Sequence, residues 1–172
     1  MEVRGAALFY TLATLMVTFA GFSAILLIIR QSVGAKLSPL DRFLTRTVVG
    51  HLFVLTAGTL LPPLLGLYDM PDQWIWKASA LLFGLPYLAL LLTFPRRRVA
   101  ATGKAPPLIV SATFVALGAA VLVAMIVYVL GNFQYGAAAY ATALIINLLT
   151  LAFSFVVALE VILGQEAPAG PA

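Results

Sequence analysis

The stretch Leu8–Ile29, LFYTLATLMVTFAGFSAILLII, runs for 22 residues without a charge, and Arg30 closes it. A bilayer hydrocarbon core about 30 Å thick is crossed by roughly 20 apolar helical residues. This run is long enough to span, and four later runs repeat its pattern. Helices are expected over about residues 6–29, 39–61, 72–94, 108–130 and 137–163. The fold class that follows is all-α: a polytopic transmembrane bundle of five helices, one domain over 1–172. The polar tail, 165–172, is expected to be disordered.

Composition supports the same reading. The chain has 172 residues, 63% hydrophobic and only 9% charged, with a mean hydropathy of +1.08. A soluble domain carries about 25% charge, so a soluble fold could not cover its surface with so few. The net charge of +4 sits in short loops rather than on a basic face interleaved with aromatics, which argues against a nucleic-acid partner. The absence of cysteine excludes disulfides, thiolate metal sites and cysteine nucleophiles. The first apolar run is too long for a secretory signal and has only Arg4 before it.

Local chemistry sets the boundaries. Ser38-Pro39-Leu40-Asp41 has the form of a capping box with proline in the first turn, so it opens the second helix. Pro62-Pro63 is expected to close that helix. Asp69 and Asp72 are spaced as a cap and its third-residue partner for the third helix. Pro95 should stop that helix, and Pro86 should kink it after Phe83-Gly84. Pro106-Pro107 opens the fourth helix and Gly131-Asn132 closes it.

Five spans place the ends on opposite sides. Arg30, Lys36, Arg42, Arg46, Arg96, Arg97, Arg98 and Lys104 fall on one side, and only Arg4 and Lys77 on the other. The positive-inside rule then predicts a bacterial inner-membrane protein with its N-terminus outside and its C-terminus in the cytoplasm. Tyr10, Tyr68, Trp74, Trp76, Tyr128, Tyr135 and Tyr140 fall near the outer ends, where amphipathic rings favour the interface. Arg96, Arg97, Arg98 and Lys104 serve first as a topology determinant and secondly as a contact for anionic lipid head groups.

Several polar or small residues lie within the spans. Thr11, Thr14, Thr18 and Gly21 share one face of the first helix, which reads as a helix–helix seam or as a hydroxyl-lined pore face. Ala112, Ala116, Ala120 and Ala124 form a small-residue ladder on the fourth helix, expected to be a tight packing face. His51 and Asn147 are the deep polar groups. Asn147 reads as interhelical glue or as a ligand or ion contact, and His51 as a histidine paired with a hydroxyl or carbonyl or as a proton or ion group; in the functional readings both join the threonine face. Glu160, near the inner end of the fifth helix, is an interfacial acid expected to snorkel or to pair with the arginine cluster. One histidine and no cysteine make a metal site within one chain unexpected. No nucleophile–base motif, phosphate loop or HExxH is present, so no enzymatic activity and no cofactor are expected.

Two local patterns resemble known proteins. TFAGFSAILLIIRQ, with a following basic loop bearing Asp41-Arg42 and a second helix ending in proline, resembles small bacterial membrane proteins of unknown function. His51-Leu52-Phe53-x-Leu55-x-x-x-Thr59 with Pro63 resembles the second helix of Orai-type calcium channels, and Gly21-Phe22-Ser23-Ala24 is similar to part of their pore helix. That resemblance implies an oligomeric channel. The first helix lacks the glutamate of the calcium-selecting ring, the expected orientation is reversed, and there are five spans rather than four. Two functions remain in view: a non-enzymatic membrane component that packs against itself or another membrane protein, and a small homo-oligomeric channel or transporter.

Overall fold

In the computed structural model the described residues are 5–32, 38–108, 112–131 and 133–164. The long helices are α1 (Ala6–Ser32), α2 (Pro39–Gly66), α3 (Asp72–Leu92), α5 (Gly118–Gly131) and α6 (Gly136–Gly164). A short helix, α4 (Phe94–Thr102), follows α3, and a π-helical turn, Ala112–Leu117, leads into α5. No strand is formed among the described residues. Five helices are long and apolar enough to cross a bilayer, the fourth over Phe114–Gly131. The chain is a multi-pass membrane protein.

The start of α2 follows its sequence signature. The Ser38 amide donates to Asp41 Oδ2 at 3.0 Å, and the Asp41 amide donates to Ser38 Oγ at 3.1 Å. Two orphan donors of the first turn are thereby satisfied. The end of α2 departs from expectation. The helix runs through Pro62 and Pro63 to Gly66 instead of stopping at residue 61. Pro62 has no N–H, so the Gly58 carbonyl loses its helical partner. The Tyr140 hydroxyl of α6 replaces it, donating to Gly58 O at 2.7 Å. A tertiary hydrogen bond thus supplies what the proline removes, as an apolar environment requires.

Two further boundaries are corrected. The residue before α3 is Pro71, without a side-chain cap, while Asp69 occupies the turn at φ +54°. Asp69 and Asp72 therefore do not form the expected capping pair. Pro95 does not lead into a loop either. It sits in the first turn of α4, where its fixed φ suits a helix start, and Gly103 ends that helix in the left-handed region at φ +69°. The arginine run is helical.

The helix α2 is the central column. It packs along α1, α3 and α6, and its first turns meet α4. The inward face of α1 is Phe9, Leu12, Ala13, Met16, Ala20 and Ser23, a helical three–four spacing. Phe9 meets Trp76 and Tyr140, with ring centroids 5.8 and 6.0 Å away. Trp76 and Tyr140, expected at the interface, are instead core residues, because three helices converge on them. Trp74 remains exposed, and Lys77 Nζ lies 5.8 Å from its ring centroid, a cation–π distance.

Gly58 and Gly118 are among the glycines at close crossings. A Cβ on Gly58 would stand 2.5 Å from the Phe83 ring, so α2 and α3 can touch there only without a side chain. A Cβ on Gly118 would stand 2.9 Å from Leu91 Cδ1 and 3.3 Å from Asn147 Oδ1, where α3, α5 and α6 meet. Small residues allow such approach in lipid, where apolar burial drives no association.

Candidate functional site

The residues expected to share one polar face divide into two groups. His51 and Asn147 are inside, with 0% and 2% of their surfaces exposed. Thr11, Thr14, Thr18 and Gly21 are on the outer surface of α1. The threonines therefore do not complete a pore with His51 and Asn147 within one chain. They face away from the bundle because the opposite side of α1, with Phe9, Leu12 and Met16, carries the larger buried rings and chains. Each hydroxyl donates to a carbonyl four residues back: Thr11 to Ala7 at 2.9 Å, Thr14 to Tyr10 at 3.0 Å and Thr18 to Thr14 at 2.8 Å. All three hydroxyls are thus satisfied without water or a partner helix.

His51 is positioned by its own helix. Its Nδ1 lies 2.6 Å from the Thr47 carbonyl oxygen. A carbonyl only accepts, so Nδ1 carries the proton and Nε2 presents a bare lone pair. That Nε2 is buried and has no hydrogen-bond partner. The Tyr87 and Phe114 rings pack on the imidazole edge-on, at 5.5 and 5.6 Å between centroids. Phe114 belongs to the π-helical turn before α5, so the irregular backbone of the fourth span lies against the one histidine of the chain. Such π-helical turns recur at functional positions.

Asn147 is held by an intrahelical bond from Nδ2 to the Ala143 carbonyl at 2.8 Å, and its Oδ1 faces Gly118 across the α5–α6 contact. Ser79 is a further deep polar group, fully buried on α3 with no partner for its Oγ. The sequence offered no reason to select it, because an isolated serine in an apolar span has no local signal of burial. Among the described residues no cluster of three metal-ligating side chains forms.

The alanine ladder also faces outward. Ala116, Ala120 and Ala124 are exposed, and the buried side of α5 is Gly118, Leu122, Met125 and Val129. The ladder is not a seam between helices of this chain, since the larger residues on the opposite side fill the core. The side chains of Ala112 and Glu160, with Lys36 and residues 165–172, lie outside the described residues.

The basic residues divide as well. Arg96 and Lys104 are exposed, whereas Arg97 and Arg98 are half-buried. Arg97 Nη2 donates to the Leu90 carbonyl at 2.8 Å, capping the end of α3. The Nε atoms of Arg97 and Arg98 are buried without partners. Burial, and secondarily the neighbouring Arg46 guanidinium, lower the Arg97 pKa; burial lowers that of Arg98. At the opposite end of the bundle a cavity of about 470 Å³ is lined by residues that include Gly5, Phe9, Asp72, Trp76 and Tyr135.

The chain matches no family model, no curated protein and no solved structure.

Proposed function

We propose that the protein is a non-enzymatic inner-membrane component that associates with a second copy of itself, or with another membrane protein, through its outer helix faces. What carries this reading is the placement of its two small-residue faces. Thr11, Thr14, Thr18 and Gly21 on α1, and Ala116, Ala120 and Ala124 on the fourth span, are all left uncovered by the chain's own helices. Association in lipid depends on close backbone approach, and small side chains permit it. The orientation we favour, N-terminus outside and C-terminus in the cytoplasm, follows the cation bias of the connectors.

The natural absence of cysteine makes the test direct. Single Thr14→Cys and Ala120→Cys variants are oxidised in membranes and compared with Phe53→Cys, which is exposed on α2. The proposal expects one of the small-residue positions to form a cross-linked dimer, or an adduct with a partner protein, well above the Phe53 control. Equal, low cross-linking at all three positions refutes it.

A homo-oligomeric channel is the second reading. The outward threonine face favours it, since copies arranged about an axis would bring that face together. Ion flux in liposomes that Thr14→Leu abolishes would select this reading over the first.

A further inference from the structure

We propose that Arg46, Arg97 and Arg98 form a phosphate-binding site at the membrane surface, filled in the bilayer by the head group of an anionic phospholipid. The proposal is independent of the association proposed above. It also narrows the general attraction of a basic connector to a defined subset of its cations.

The site is assembled by packing. Phe94, the first residue of α4, is buried against Phe43 near the foot of α2, with ring centroids 5.6 Å apart, and against Phe114 at 5.3 Å. These contacts lay the arginine helix across the start of α2. Arg46 stands one turn beyond Phe43, and its charge reaches Arg97. The bond from Arg97 to the Leu90 carbonyl fixes the direction of that guanidinium. Water is denied to the Nε atoms of Arg97 and Arg98, so part of the hydration of each cation is lost without a hydrogen bond to replace it.

The Nε atoms of Arg97 and Arg98 meet no carboxylate. Like charges held close and partly out of water remain unfavourable until an anion joins them. Arg97 keeps only Nη1 for a ligand, because its Nε is buried and its Nη2 is held by Leu90, whereas the terminal nitrogens of Arg46 and Arg98 are planar donor forks whose geometry suits phosphate oxygens. The position suits a lipid phosphate, because α4 begins only two residues after the last residue of the third span, Leu92. Arg96 and Lys104 are excluded from the site: both are exposed, and neither stands one helical turn from the Phe43–Phe94 contact as Arg46 and Arg97 do.

The test uses the full chain in a neutral detergent, with native mass spectrometry and thermal unfolding as readouts. Phosphatidylglycerol is compared with phosphatidylcholine, and inorganic phosphate is added as a competitor. The wild type should retain phosphatidylglycerol preferentially and gain thermal stability from it. Arg46→Gln/Arg97→Gln should weaken that binding about tenfold or more, while the charge-matched Arg96→Gln/Lys104→Gln should bind like the wild type. Arg97→Lys/Arg98→Lys retains charge and a donor toward Leu90 but lacks the fork. It should lose most of the preference, and it serves if the glutamine variant does not fold.

Competition by millimolar inorganic phosphate supports a site for the phosphate group itself, and failure to compete supports the intact lipid head group. Equal losses in the two glutamine pairs, or full retention by the lysine variant, overturn the proposal in favour of diffuse attraction. Restored discrimination between the two lipids only when Glu160→Gln is added also overturns it, by assigning the arginines to that carboxylate.

Discussion

The bond from Tyr140 to Gly58 gives the sharpest test of how this bundle tolerates prolines in its central helix. Pro62 deprives the Gly58 carbonyl of its helical donor, and the Tyr140 hydroxyl supplies one at 2.7 Å. Tyr140→Phe keeps the ring packing on Phe83, at 5.8 Å between centroids, and removes only the donor. A buried acceptor left unpaired costs about 1–3 kcal/mol in general. Interhelical hydrogen bonds in membrane proteins average nearer 0.6 kcal/mol, with a maximum near 1.7, because the unfolded state in the membrane also finds partners. Here the carbonyl's local alternative is absent by covalent chemistry, so the upper part of that range applies, about 1–1.5 kcal/mol.

A double-mutant cycle isolates the effect. Pro62→Ala returns an N–H to the helix, which can donate to Gly58 O. In that background Tyr140→Phe should cost a few tenths of a kcal/mol, giving a coupling of about 1 kcal/mol between residues far apart in sequence. Reversible unfolding in mixed micelles, with helicity followed by circular dichroism, measures each corner of the cycle. Strict additivity of the two substitutions would falsify the proposed exchange of donors, as would a Tyr140→Phe protein as stable as the wild type.

The remaining predictions concern contacts rather than donors. Gly58→Ala should destabilise the bundle by about 1–3 kcal/mol, because its Cβ falls 2.5 Å from the Phe83 ring. Phe83→Leu in the same chain should recover part of that loss, and an unchanged unfolding midpoint for Gly58→Ala would contradict the observed crossing. His51→Leu removes a buried, unpaired acceptor together with the Nδ1 donor to Thr47; the two losses offset each other, so its stability should stay within about 1 kcal/mol of wild type. A much larger loss would mean that Nε2 has a partner in the membrane, such as a water or a residue of another copy.

Much of the architecture was legible from residue order. Runs of apolar residues long enough to span, the Ser38–Asp41 capping box and the glycine near the end of the fourth span are local features, and local physics decides them. The depth of His51 and Asn147 within their helices followed from counting residues along the chain. The prolines were less transparent. Pro62-Pro63 and Pro95 each remove a donor, but whether a helix ends or continues depends on what else can serve the freed carbonyl, and Tyr140 lies in a different span.

The sequence by itself determined that this chain must cross a bilayer as helices and where most of those helices begin. Apolar length and the need to satisfy every backbone polar group in lipid leave no other arrangement. Only the tertiary structure decided which side of each helix faces inward. In water an amphipathic pattern would announce it, but in lipid both sides of a helix are apolar and the pattern carries little contrast. That is why the outward facing of the threonine face, read as a seam or a pore face, and of the alanine ladder, read as a packing face, was not visible in the residue order. Packing of α4 on the foot of α2 likewise decided that Arg97 and Arg98 are half-buried while Arg96 is exposed.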